Sequence, residues 1–194
     1  VLASGSISGT AFTDATFNLS DDVVLVHDKS WSIEWAGSGN SSAYFLLTTV
    51  LDYKANSGHY IFRQSKSGVL AIGEWTDGVH QNYGLILSDY GIDGTAYHKY
   101  ELKNEPIFKN GAWTSNMVYL YADGVELGAM NNVHYGSNAQ GTTSDWLSGK
   151  DLVFDYIGNT RYPLNGSYSY LEVWEEGTPC IISFKDYDGR LLSS

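Results

Sequence analysis

Tyr119-Leu-Tyr-Ala-Asp-Gly-Val-Glu-Leu-Gly128, followed by Tyr156-Ile-Gly-Asn-Thr-Arg-Tyr-Pro-Leu-Asn-Gly-Ser-Tyr-Ser-Tyr-Leu-Glu-Val-Trp174, decides how this chain is read. In the first stretch an alternating strand pattern runs into Asp123-Gly124 and resumes at once at Val125. Both central residues of a type I′ turn need positive φ, which Asp and Gly tolerate, so the segment predicts a tight β-hairpin. The second stretch reads as strand, polar loop, Asn165-Gly166 turn and strand.

Outward from these two stretches the same punctuation recurs at Asp77-Gly78, Asp93-Gly94, Asn110-Gly111 and Asp188-Gly189. Turns on that spacing with alternating segments between them predict an all-β antiparallel β-sandwich or barrel. Strands are expected near 11–19, 23–26, 31–35, 44–51, 60–64, 70–75, 83–87, 97–102, 117–121, 125–128, 152–157, 168–174 and 181–185, and no window carries helical periodicity. Composition agrees: 21 glycines, 3 prolines and 15 tyrosines suit many strands and tight turns. At 194 residues the expectation is a single domain, 1–194, large enough to bury a substantial core. Val1 is not an initiator Met, so a piece excised from a larger polypeptide is one expectation.

The hairpin Tyr121-Ala-Asp-Gly-Val-Glu-Leu-Gly128, followed by Ile157-Gly158, Gly166 and Glu172-Val173-Trp174, resembles the concanavalin A-like lectin/glucanase superfamily, particularly its laminin-G-like members. The resemblance covers roughly the last half of the chain. It implies a jelly-roll sandwich, ligand recognition at a surface, and calcium held in loops by Asp side chains and backbone carbonyls.

A net charge of −11, with no run of Lys or Arg, repels a phosphate backbone and argues against a nucleic-acid partner. The apolar runs are too short for a membrane span. One cysteine, Cys180, rules out an intrachain disulfide or a cysteine metal cluster and reads as a buried thiol. The sequons at Asn18, Asn40 and Asn165 are no more than chance provides in so Asn- and Ser-rich a chain. The five histidines lack metal-site spacing, and no Gly-x-Ser-x-Gly nucleophile motif occurs.

The glucanase pattern Glu-x-Asp-x-Glu is absent. The nearest substitutes are Glu34 in Trp31-Ser-Ile-Glu-Trp35 and Glu172 in Leu171-Glu-Val-Trp-Glu-Glu176. Were Glu34 and Glu172 to face each other across a concave sheet, they would form a two-carboxylate site of the kind found in jelly-roll xylanases, which this chain resembles in size and aromatic richness. Alternation places Tyr170, Glu172 and Trp174 on one face of their strand, opposite Leu171 and Val173. For calcium the expected ligands are Asp89 and Asp93, with Asp145, Asp151 and Asp155 as a second cluster.

Sugar recognition needs flat apolar faces for pyranose C–H groups and planar polar groups for hydroxyls. Two predicted loops carry that mixture: Trp75, Asp77, His80 and Asn82 in one, and Asn159, Arg161 and Tyr162 in the other, with Trp146 in the long polar stretch 131–150 as a third candidate. The function expected is a non-catalytic, lectin-like module binding a glycan or a surface protein, extracellular or on a virion, without a cofactor unless calcium. A structural decoration or adhesin domain of a phage particle, assembled as a homo-oligomer, is the second reading. A glycoside hydrolase or polysaccharide lyase using Glu34 and Glu172 is the third.

Overall fold

The computed structural model describes residues 10–38, 44–49, 57–64, 68–76, 79–134, 137–138, 151–176, 178–183 and 192–193. Its strands are β1 (Thr10–Ala15), β2 (Phe17–Leu25), β3 (Trp31–Ser38), β4 (Tyr44–Thr48), β5 (Ser57–Gln64), β6 (Val69–Thr76), β7 (Val79–Ile86), β8 (His98–Lys109), β9 (Ala112–Ala122), β10 (Val125–Ala129), β11 (Asn131–His134), β12 (Ser137–Asn138), β13 (Leu152–Ile157), β14 (Leu164–Glu175), β15 (Thr178–Ser183) and β16 (Leu192–Ser193). One 3₁₀ turn, Leu87–Tyr90, follows β7. The first sheet runs β10-β9-β8-β3-β14-β15-β16 with β1 also on β14, and the second runs β12-β11-β7-β6-β5-β4-β13-β2. Among the described residues every pairing is antiparallel, and the two sheets stack as a sandwich with jelly-roll crossovers between them.

The core lies between the sheets because one side of each strand is apolar. Trp31, Ile33 and Trp35 of β3, Leu171 and Val173 of β14, and Leu102 and Leu120 of β8 and β9 meet Ile61, Leu70, Ile72, Leu85 and Phe154 of the second sheet. At about 25 cal/mol per Å² of apolar area, burial of so many large side chains is the dominant stabilising term.

Two turn predictions are met in full. Asn110-Gly111 (φ 52° and 76°) and Asp123-Gly124 (φ 51° and 81°) close the β8–β9 and β9–β10 hairpins with positive φ at both central positions. Asn165-Gly166 is different: it lies inside β14, where Phe12 of β1 pairs with Gly166. The buried Asn165 accepts the Asp14 backbone N–H through Oδ1 at 3.0 Å and donates from Nδ2 to Pro163 O. The dipeptide resembles a turn because it serves a bulged strand junction, a role periodicity does not separate from a hairpin. The stretch 131–150 is also not wholly a loop, since β11 pairs with β7 and β12 with β11; residues 139–150 lie outside the described set.

A bulge in β14 positions the surface of interest. The register shifts between Tyr168, opposite Gly37, and Tyr170, opposite Ala36. Period-two alternation would put the two tyrosines on the same face. The inserted Ser169 instead turns Tyr168 into the core and Tyr170 to the outside, the re-aiming that β-bulges provide. Gly37 makes room for this, because a Cβ there would overlap the Tyr168 ring.

Candidate ligand-binding face

The two outer faces differ. On the second sheet the outward positions Tyr60, Val69, Ala71 and Ile86 are buried, so that part of the face is covered rather than open. On the first sheet the outward positions are polar, aromatic and partly exposed. Register places Glu172 of β14 opposite Glu34 of β3, Glu34 opposite Glu101 of β8, Glu101 opposite Tyr121 of β9, and Tyr121 opposite Glu126 of β10. One straight row of side chains therefore crosses five strands. A parallel row carries Trp174, Ser32, Lys103 and Tyr119, again by direct pairing.

Side-chain bonds order this face. The Tyr170 hydroxyl donates to Glu34 Oε1 at 2.6 Å, and Lys99 Nζ lies 3.5 Å from Glu34 Oε2. Lys103 Nζ lies 3.5 Å from Glu101 Oε1 and 4.8 Å above the centre of the Tyr121 ring. Trp174 Nε1 donates to Glu172 Oε2 at 3.3 Å, and the Tyr121 hydroxyl donates to Glu126 Oε1 at 3.0 Å. The side chains of Glu34 and Glu101 are 24% and 18% exposed, ordered by neighbours yet reachable from solvent.

The potential here is negative, and two phenols register it. Burial, then the bond to Glu34 and the charges of Glu34 and Glu172, push the Tyr170 hydroxyl far above the ordinary phenol range. The bond to Glu126 chiefly, with burial and nearby carboxylates, pushes Tyr121 up as well. A phenol held neutral by carboxylates is a donor and not a base, so Tyr170 is unsuited to abstracting a proton at neutral pH.

The residues expected from sequence fall elsewhere. The segment around Trp75, Asp77, His80 and Asn82 is a β6–β7 hairpin and not a loop: Trp75 is the register partner of His80 and Gly73 of Asn82, while Asp77 lies outside the described residues. Asn82 accepts a short hydrogen bond from the Tyr60 hydroxyl, and the Tyr60 ring lies across Gly73, where a Cβ would collide with it. Asn159 is fully buried, and its Oδ1 accepts the backbone N–H groups of Arg161 (3.1 Å) and Tyr162 (2.8 Å), so it shapes the loop. Arg161 is exposed, with its guanidinium 5.5 Å above the half-buried Tyr162 ring. Trp146 lies outside the described residues. The structure thus brings Trp75, His80 and Asn82 together on one face, brings Asn159, Arg161 and Tyr162 together in one loop, and keeps both groups off the carboxylate row.

For calcium, Asp89 is exposed on the 3₁₀ turn. One oxygen of Asp93 accepts both the Thr95 backbone N–H (2.8 Å) and hydroxyl (2.6 Å), and these bonds lower the Asp93 pKa. Asp151 accepts the His27 backbone N–H and contacts its ring, and burial, followed by the hydrogen bond and charge of Asp22, raises the Asp155 pKa. Calcium takes six to eight oxygens, and among the described residues no three acidic, His or Cys side chains gather to hold a metal.

Sequence reading identified Glu34, Tyr170, Glu172 and Trp174 but missed Lys99, Glu101, Lys103, Tyr121 and Glu126. The signal existed: alternation in His98-Lys-Tyr-Glu-Leu-Lys-Asn104 puts Lys99, Glu101 and Lys103 opposite the apolar Tyr100 and Leu102. What alternation lacks is register across strands.

No family model and no curated protein matches this chain. Among solved structures it is similar to a native heptameric SAP-like pentraxin from Limulus polyphemus, with TM-score 0.47 and 12% identity over 96% of this chain and 90% of that one. It is similar to a tetrameric galectin from the ball sponge Cinachyrella sp., with TM-score 0.37 and 10% identity over 86% and 97% of the two chains. It is also similar to the alginate lyase Aly36B, with TM-score 0.31 and 9% identity over 88% and 91%. Likenesses this distant join binding proteins and an enzyme alike and carry no argument about function; the sandwich rests on the sheet topology above.

Proposed function

We propose that the chain is a non-catalytic glycan-recognising module of lectin type, whose ligand lies across the open face of the first sheet. The observation that carries this reading is the row Glu172, Glu34, Glu101, Tyr121 and Glu126, flanked by Trp174 and Tyr119. Carboxylates fixed by neighbours accept pairs of sugar hydroxyls, and half-exposed Trp174, Tyr119 and Tyr121 offer flat apolar area for pyranose C–H faces at small entropic cost. The proposal moves the site from the loops expected from sequence to the sheet. It keeps the rest of that expectation: a concanavalin A-like sandwich of laminin-G-like kind, outside the cell or on a virion surface. A glycan array with the wild-type chain and a Trp174→Ala/Tyr121→Ala variant tests it. Binding lost in the variant supports the reading, and a wild-type chain that binds no glycan refutes it.

One observation favours a hydrolase as a second reading. Glu34 and Glu172 are direct partners on adjacent strands, and such pairs have Cα atoms ~4.5–5.5 Å apart, close to the ~5–5.5 Å carboxyl separation of retaining glycosidases. Against it, both groups are partly exposed, and Glu34 is engaged by Tyr170 and Lys99. Turnover of a β-glucan or xylan that Glu34→Gln abolishes would establish the enzyme; no turnover removes it.

A further inference from the structure

Lys103 and Lys99 show how this face treats an ammonium group. Lys103 Nζ is held between the Glu101 carboxylate at 3.5 Å and the Tyr121 ring face at 4.8 Å, a charge pair combined with a cation–π contact. Lys99 Nζ lies 3.5 Å from Glu34. Two further carboxylates sit on the same rows, each bonded to an aromatic side chain, without a lysine of their own. Glu172 with Trp174, and Glu126 with Tyr121, are bonded through neutral N–H and O–H donors, and among the described residues neither acid has a cationic partner. Once the two lysines have paired with Glu34 and Glu101, the row keeps the negative charge of Glu172 and Glu126.

We propose that the ligand class of this face is an amine-bearing glycan, a linear β-linked hexosamine chain with free amino groups, laid across the strands so that its ammonium groups meet the Glu172–Trp174 couple at one end of the row and the Glu126 carboxylate at the other, beside the Tyr121 ring that Lys103 covers. The inference rests on the glycan-binding reading above and narrows it. Three physical points select this occupant. The residual charge, on a chain of net charge −11, attracts ammonium and repels uronate, sulfate and sialate. Neighbouring strands are ~4.8 Å apart, so the row presents side chains on a step close to one pyranose repeat. Bonds from neutral donors leave each carboxylate with free lone pairs, so an arriving ammonium adds a charge-assisted bond without displacing a lysine.

Equilibrium binding of glucosamine oligomers is compared with N-acetylglucosamine oligomers, β-1,4-glucose oligomers and oligouronates of equal length, at mildly acidic pH where the amines are protonated. The expected result is binding of the free-amine series at least tenfold tighter than the others and weakening steeply towards ~1 M salt, where the Debye length is ~3 Å. Glu172→Gln and Glu126→Gln each weaken it about two- to fivefold, the scale of one partly exposed ion pair. Glu176→Gln removes the same charge away from the row, beside Lys29, and leaves binding unchanged. Equal affinity for acetylated, neutral and amine oligomers overturns the amine inference while leaving the lectin reading standing. Binding that responds equally to Glu176→Gln and Glu172→Gln overturns the placement on this row. Failure of every oligomer to bind overturns both readings.

Discussion

Replacing Tyr170 by Phe tests the electrostatics of the face most directly, because it deletes one hydroxyl and little volume. That hydroxyl donates to Glu34 Oε1 at 2.6 Å from a ring only 7% exposed. A hydrogen bond to a charged partner contributes ~1.5–3 kcal/mol. Glu34 retains Lys99 at 3.5 Å and some solvent, so the loss sits at the low end, about 1.5 kcal/mol at pH 8. The pH dependence is the sharper part. The folded-state pKa of Tyr170 is raised by burial and by Glu34 and Glu172, whereas the unfolded phenol ionises near ~10. The contribution is therefore complete below pH ~10 and is lost as pH rises above it, because only the unfolded state releases the proton. At pH 11 a group with an unfolded pKa of ~10 has lost ~1.4 kcal/mol, which brings wild type and Tyr170→Phe nearly level.

The assay is urea unfolding of both proteins at several pH values from 8 to 11, with the comparison restricted to conditions where the slope m is unchanged. The remaining tyrosines are common to both chains and cancel in the difference. A gap that stays constant or widens between pH 8 and 11 would refute the argument, since it would mean that the hydroxyl is not held neutral. A tyrosinate absorbance step that appears below pH 9 in wild type and vanishes in the variant would be the opposite finding, and would return Tyr170 to consideration as a base.

Other consequences follow from single contacts. Gly73→Ala drives a methyl into the Tyr60 ring and lowers stability by ~1–3 kcal/mol, read as a lower urea midpoint. Asn116→Ala removes the fully buried side chain that donates to His27 O (2.7 Å) and Asn104 Oδ1 (2.8 Å) and accepts from Trp113 Nε1 (3.0 Å); the stranded groups lower stability by about 2–3 kcal/mol, with faster proteolysis at residues 26–30. The Asp151 carboxyl is held below the ordinary range first by the His27 ring and then by the His27 N–H, so its stabilisation is present above pH ~4 and fades below it; Asp151→Asn loses less than ~1 kcal/mol near neutrality and converges with wild type in acid. Glu172→Gln raises stability by about 0.2–1 kcal/mol at low salt, because it relieves a like-charge cross-strand pair, and the gain shrinks as salt is added.

The layers of the fold were legible because they depend on local rules. Period-two alternation in Trp31-Ser-Ile-Glu-Trp35 and Leu171-Glu-Val-Trp174 correctly separated core from surface, and Asp123-Gly124 correctly announced a hairpin. What was not legible is which groups the fold brings to a given side chain. Asn165-Gly166 has turn chemistry, yet β1 pairs against it from about 150 residues away and Asp14 occupies the Asn side chain. Asn159 looked like a ligand-presenting amide, but its oxygen caps the following turn, a use that Asn has wherever a loop must reverse. The candidate face was half legible: Glu34 and Glu172 were visible as a pair, whereas Glu101, Tyr121 and Glu126 joined them only when β8, β9 and β10 were paired in register.

That register is also the strongest physical reason to regard the face as functional. Like charges placed directly opposite each other destabilise a sheet, and three successive strands here align Glu172, Glu34 and Glu101. A shift of one residue in any pairing would turn these acids into the core, so the row cannot relax by slipping. The face softens the repulsion locally, through Lys99, Lys103 and the Tyr170 and Trp174 donors, and leaves Glu172 and Glu126 with neutral donors rather than cations. A purely structural surface has no use for a row that works against its own sheet, whereas departures from local rules concentrate at functional sites. A cation bound as proposed would complete the pattern that the two lysines begin, turning the remaining repulsion into attraction for the ligand. Stability gained and glycan affinity lost in the same Glu172→Gln protein would be the signature of that exchange.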